Sequence, residues 1–326
     1  MERGNRAFYL DALRGFAMLC VVIGHLSLFC YKDAQYSSIA FLVNIFHVNL
    51  FMLISGYFVK YENLKIKKHL KILIPFFVFG IPYAYIKGYS PWEFLGNETK
   101  VGYWFLWSLS IYYISLGFIK LTKMNLIKGM LLVQVIFLFL HLLLHRTTIG
   151  MFIGTDHLWS LWSFFCLGYF LHHGIFDYLH SHRRTVYFIA GLAIATCASV
   201  GGAYNLFDSY WPSIILRWIL AFPICIFLTL AFYQIELRLK GTNFVGKEWI
   251  KQIGSSIGTN TLQVYVLHYY LLLILNLKIL GNFMIQNHLA ILEYIISPIL
   301  AIVIAQICIW ISDLLHSIHL GILFGR

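Results

Sequence analysis

Charge is scarce in this chain. Only 11% of its 326 residues are Asp, Glu, Lys or Arg, against 60% hydrophobic residues, whereas a soluble domain carries about a quarter charged residues. That composition excludes an ordinary water-soluble fold, and with it the length rule that would divide the chain into two soluble domains. Acidic residues are scarcer than basic ones, 13 against 24, which leaves a net charge of +11. No basic run is interleaved with aromatics on a polar face, so the charge does not point to nucleic acid. The six cysteines, Cys20, Cys30, Cys166, Cys197, Cys225 and Cys308, stand singly in or beside apolar stretches without a CxxC pair. Neither a zinc ribbon nor a disulfide framework fits that pattern, and the thiols read as small packing groups. Pro/Ser-rich linkers, internal repeats and room for a folded extramembrane domain are all missing.

What the chain does have is long apolar runs. A spanning helix needs about 20 mostly apolar residues, and ten segments meet that length approximately. They are Phe8 to Phe29, Ile39 to Val59, Leu70 to Ile86, Gly102 to Leu121, Ile127 to Leu144, Leu158 to Phe176, Thr185 to Ala203, Ser213 to Ile235, Ile257 to Leu280, and Leu289 to Leu314. The first holds Asp11, Arg14 and His25 and lacks a small-residue cleavage site after it, so it reads as a permanent span. Charge between the segments is lopsided. One set of loops carries Arg3 and Arg6; Lys60, Lys65, Lys67, Lys68 and Lys71; Lys120, Lys123 and Lys128; Arg183 and Arg184; Arg238, Lys240, Lys247 and Lys251; and Arg326. The other carries only Lys32, Lys87, Lys100, Arg146, Arg217 and Lys278. Positive residues stay on the cytoplasmic side. The expectation is therefore an all-α integral membrane protein of about ten transmembrane helices, a single embedded domain over residues 1–326, with both termini cytoplasmic.

Ionisable side chains inside a span cost a few kcal/mol each and mark candidate sites. Eleven residues separate Arg14 from His25, close to three helical turns, so the two share a face about 16 Å apart along the axis. Gly15 and Gly24 beside them allow close approach of a second helix or a ligand. Asp11 has two readings, a partner for Arg14 at i, i+3 or a site residue. Further candidates are His47, Asn49 and Ser55 in the second segment, Trp104 and Tyr112 in the fourth, and His268 in the ninth. The aromatics near Trp107 also suit an interfacial belt. His141 and His145 have i, i+4 metal-ligand spacing with no third ligand nearby in sequence, so no metal is expected. His172, His173, His180 and His182 read as a basic loop with Arg183 and Arg184, the loop's positive charge suiting the phosphates of an anionic ligand.

Leu10 to Gly15 followed by His25, Phe51 to Phe58 ending in Ser-Gly-Tyr-Phe, Trp104-Phe105-Leu106, and Thr261 to His268 occur in an order and at spacings that resemble the acyltransferase-3 family over nearly the whole chain. The arginine followed eleven residues later by histidine carries most of that resemblance. The family often has proline after the histidine of the second helix, where this chain has Asn49, so His47 is the weakest match. The resemblance implies transfer of an acyl group, often acetyl, from cytoplasmic acyl-CoA to a hydroxyl of a cell-surface or lipid-linked sugar. It implies a bacterial cytoplasmic membrane, no permanently bound cofactor, and acyl-CoA, a glycan acceptor and membrane lipids as partners. In it, His25 acts as general base or as a transient acyl carrier, and Arg14 holds the donor. Asp11, Ser55, Tyr112, His268, His47 and Trp104 support donor or acceptor. A transporter or glycan-export component would display buried ionisable residues equally well.

The orientation has a direct test. Single cysteines at Lys67, Lys123, Arg184 and Lys247 should react only with membrane-permeant reagents in intact cells. Labelling of any two by an impermeant reagent overturns the topology.

Overall fold

The computed structural model describes residues 8–30, 38–201, 211–241, 254–275, 277–287 and 289–325. Arg3, Arg6, Lys32, Lys247, Lys251 and Arg326, which entered the charge comparison, lie outside the described residues. Among those described, all regular structure is helical. That is what lipid requires, since a helix satisfies its main-chain N–H and C=O groups within one segment.

The principal helices are α1 (Phe8–Cys30), α2 (Ser38–Tyr57), α3 (Leu73–Ile86), α4 (Trp104–Leu121), α5 (Leu126–Leu144), α6 (Thr155–Phe170), α7 (Arg183–Gly201), α8 (Trp211–Lys240), α9 (Thr261–Ile274), α10 (Leu277–Gln286) and α11 (Glu293–Ser317). Each of the ten apolar segments is mostly helical where it is described, with non-helical residues at Phe58, Val59, Tyr103, Asn260, Leu275 and Leu289. Among the described residues, six helical stretches are long and apolar enough to cross a membrane: Phe8–Cys30, Ile66–Ile86, Trp104–Leu121, Leu126–Leu144, Ile215–Lys240 and Glu293–Ser317. The chain is thus an all-α membrane protein.

Three expectations change in detail. The ninth segment is broken: α9 and α10 meet at 69°. The sixth ends its α-helix at Phe170 and continues through a π-turn over Leu171–Ile175, where Gly174 takes φ 114°, a left-handed conformation open to glycine because it lacks Cβ. The basic stretch after it is helical rather than a loop, with His180 inside Phe176–Ser181 and His182 capping that helix. The Gln234 amide donates to His180 Nε2 at 2.6 Å. All six cysteines are free thiols.

The chain forms two compact units. The first comprises Met1–Ile54 and His173–Trp310, with α1 packed against α8, α9 and α10, and α7 against α8. α1 is buried on several sides, which suits its apolar composition around the helix. Its closest crossing is made on glycine. A Cβ on Gly258 would land on the Asp11 carbonyl oxygen, and one on Gly15 would lie 3.0 Å from the Gly254 carbonyl oxygen. Small residues at such a crossing let two backbones meet.

The second unit comprises Ser55–His172 and Ile311–Arg326. α5 and α6 form its tightest pair, joined by α4. Bulky aromatics fill it: Tyr112 packs edge-on to Trp162 at 5.1 Å and on Phe165 at 5.4 Å. Trp162 Nε1 donates to the Met130 carbonyl at 2.9 Å, and Gln134 Nε2 to the Trp159 carbonyl at 2.8 Å.

The Gly258 crossing predicts a stability contrast. Gly258→Ala should cost about 1–3 kcal/mol, the usual range for overpacking. Gly191→Ala, where nothing lies within 4 Å of the new methyl, should be neutral. Thermal melts in detergent that show equal stability for the two variants would refute the close crossing.

Candidate functional site

Two helices distant in sequence bring a pair of histidines together in the first unit. His25 near the end of α1 and His268 in the middle of α9 have Nδ1 and Nε2 2.8 Å apart. Their rings stack at 5.1 Å with 15° between planes. His268 Nδ1 lies 2.9 Å from the Val264 carbonyl oxygen, one turn back on α9. A carbonyl only accepts, so His268 Nδ1 carries the proton. The Nε2 of a neutral His268 is then an acceptor, and His25 must donate to it from Nδ1. That leaves His25 Nε2 with an unshared pair. The tautomers are thus inferred from the hydrogen-bond partners, and they start from one main-chain carbonyl. The Tyr269 hydroxyl donates to His25 Nε2 at 3.1 Å. His268 is fully buried, whereas His25 keeps part of its surface open.

His47 joins this region from α2. Its Nδ1 donates to the Val43 carbonyl at 2.7 Å, and its Nε2 lies 4.0 Å from where a Cβ on Gly24 would stand. The neighbouring polar group, Asn49, donates to the Ile45 carbonyl at 3.0 Å. Half a turn beyond His25, Ser27 donates to Glu293 Oε1 at 3.1 Å, and Glu293 is buried at the start of α11. Asp11 is buried and Arg14 half-buried on the first half of α1, at the Gly258 crossing.

The other sequence candidates lie in the second unit. Tyr112 donates to the Leu158 and His157 carbonyls at 2.9 and 3.3 Å, so its hydroxyl serves the α4–α6 contact. Ser55 is half-buried near the end of α2. Trp104 stacks on His157 at 4.0 Å with 23° between rings. Trp107 donates from Nε1 to the Ile153 carbonyl at 3.1 Å. Beside them, Lys100 is buried with its Nζ donating to the Asn97 and Met151 carbonyls at 2.8 and 2.7 Å. Burial pushes the Lys100 ammonium down to about 8, with nearby Glu98 opposing the shift. Burial, then the Asp156 carboxylate beside it, pushes Glu98 up to about 7.

A groove of ≈ 950 Å³ in the same unit is lined by Lys65, Lys67, Lys68, Lys71, Lys120 and Lys123 together with Leu64, Ile66, Gly117 and Leu121. Lys120 also donates to the Glu62 carbonyl at 2.7 Å. All six lysines belong to the set of basic residues that the sequence concentrates in one group of loops.

Sequence reasoning missed Tyr269, Glu293 and the grouping of lysines around one groove. Glu293 had a signal, being an acid within an otherwise apolar run; Tyr269 had only its place after His268. The sequence model of an acyltransferase domain matches residues 8–311. No curated protein and no solved structure matches the chain.

The tautomer chain is open to measurement. Nitrogen NMR of imidazole-labelled protein should report Nδ1–H forms for both His268 and His25. A His25 population protonated mainly at Nε2 would break the chain of donors.

Proposed function

The chain belongs to the acyltransferase-3 family, and we propose that it is a membrane O-acyltransferase carrying an acyl group, acetyl in the first instance, from acyl-CoA to a sugar hydroxyl. The observation that carries this reading is the acceptor character of His25 Nε2, fixed through His268 by the Val264 carbonyl. A hydroxyl, that of Tyr269, already faces this nitrogen at 3.1 Å, in the position an acceptor hydroxyl would take.

In the proposed reaction His25 Nε2 removes the proton of the acceptor hydroxyl as its oxygen attacks the thioester carbonyl. The carbon–sulfur bond breaks, and the proton passes from His25 to the departing CoA thiolate. His268 keeps His25 Nε2 unprotonated and helps bear the charge that His25 gains. A transient acyl-histidine is the alternative route. Water is scarce among the packed helices, which limits hydrolysis of the donor. Arg14, a planar cation at all relevant pH, binds a donor oxygen. Within the second unit, the six-lysine groove raises the local concentration of anions, as clustered like charge does. Ten spans, cytoplasmic termini, a bacterial cytoplasmic membrane and a cell-surface or lipid-linked glycan acceptor complete the proposal. The entire chain acts as one acyltransferase domain.

His25→Ala should leave an inserted, folded protein without acyl transfer. His268→Ala should lower kcat by at least about a hundredfold, the lower range for loss of general-base catalysis, while His180→Ala and His182→Ala remain active. Arg14→Lys should raise KM for acyl-CoA more than it lowers kcat, as loss of a contact made in both ground and transition states does. Near-normal transfer by His25→Ala removes it from the mechanism. Absence of any CoA binding by the intact protein would favour a transporter instead.

A further inference from the structure

At one end of the α5–α6 pair, three side chains meet that the proposed acyl transfer does not use. His141 and His145 lie one turn apart near the end of α5, and Asp156 stands in the first turn of α6. Their Nδ1 atoms are 2.8 and 2.9 Å from the same oxygen, Asp156 Oδ1. Taken one per residue, the three donor atoms all lie within 4.8 Å of one another. The histidine spacing alone is common on helices; the convergence with the carboxylate depends on the connection between them, which holds a short helix, Thr148–Ile153, ended by Gly154. Gly154 has φ 82°, a conformation costly for residues with a Cβ, and joins that helix to α6, whose first turn carries Asp156.

We propose that His141, His145 and Asp156 form a site for a divalent cation of the zinc class, which clips the end of α5 to the start of α6. Two imidazole nitrogens and a carboxylate oxygen are the borderline donor set that zinc takes in preference to the all-oxygen set of magnesium or calcium. A tetrahedral zinc with bonds of about 2.0–2.2 Å spaces its donors by roughly 3.3 Å. The two histidine–carboxylate edges therefore open by about half an ångström to admit the ion, while the histidine–histidine edge, within 4.8 Å, adjusts to the same length. His141 is nearly fully enclosed, while His145 is one-third exposed, so the site has a fixed inner wall and an accessible side. Glu98 lies against Asp156, the kind of outer carboxyl that steadies a ligand and strengthens a metal site. It also lines an open pocket of ≈ 560 Å³. The triad could instead be a hydrogen-bonded group in which two imidazoles serve one carboxylate, and the experiment separates the two.

Full-length protein purified in detergent is stripped with a chelator and then titrated with Zn²⁺ and with Co²⁺. One equivalent of zinc should remain after gel filtration, and Co²⁺ should give the intense visible absorption of a tetrahedral site. His145→Ala, altered at the exposed ligand, and Asp156→Asn, nearly identical in shape, should each weaken zinc binding by more than about a hundredfold while eluting as wild type. His182→Ala should bind zinc as wild type does. Failure of the wild type to retain zinc or to develop the cobalt band overturns the proposal, as does unchanged binding by Asp156→Asn. Acyl-transfer activity is not read in this experiment, so its outcome is independent of the proposed reaction.

Discussion

Lipid offers no water to a polar side chain, so each polar group along a span must find a protein partner or stay out of the bilayer. In this chain the partner is often a main-chain carbonyl. His268 donates to Val264, His47 to Val43, Asn49 to Ile45 and Thr229 to Cys225, each to the residue one turn earlier. Tyr112, Gln134 and Trp162 reach carbonyls on neighbouring helices. For tyrosine, glutamine and tryptophan this settles packing. For histidine it settles chemistry as well, because spending Nδ1–H on a carbonyl leaves Nε2 as an acceptor. The acceptor nitrogen of His25, to which Tyr269 donates, follows when His25 Nδ1–H is spent in turn on His268 Nε2.

The rule acts only if the helices come close enough, which places the glycines of the first unit in the same chain of causes. The region around Gly254 and Gly258 lies against the backbone of α1 at Asp11, Ala12 and Gly15. Contact at that distance sets how far α9, which follows directly, stands from α1. A larger residue at the crossing would separate the helices, and a hydrogen bond of 2.8 Å between His25 and His268 tolerates little separation before it weakens. Packing near the first half of α1 thus supports chemistry near its second half.

The second unit distributes its polar groups differently. One region gathers six lysines around a groove also lined by Leu64 and Gly117; another gathers Glu98, Lys100, His141, His145, Asp156 and His157. Aromatic packing of Tyr112, Phe137, Trp162 and Phe165 fills the helices between α4, α5 and α6. Concentrating charge in loops and helix ends, and bulk in the apolar stretches, is what a bilayer imposes on a polytopic chain.

Much of this was legible in the residues alone. Helix positions follow from runs of apolar residues, and α1, α4 and α5 begin and end within two residues of the segments read from sequence. His25, Arg14 and His268 stand out because an ionisable group in an apolar run is costly wherever the run ends up. The break between α9 and α10 was not legible, since hydropathy continues across it. Nor was the pairing of His25 with His268, 243 residues away, or the tyrosine beside it, which resembles many other tyrosines in the chain. Asp156 lay just outside an apolar segment, so nothing in the sequence tied it to His141 and His145. Hydropathy and helical period are local properties, repeated every turn and insensitive to the rest of the chain. Which faces meet depends on the rotation and depth of each helix against its neighbours, and those are decided by side-chain volume at the crossings, only once the helices have packed.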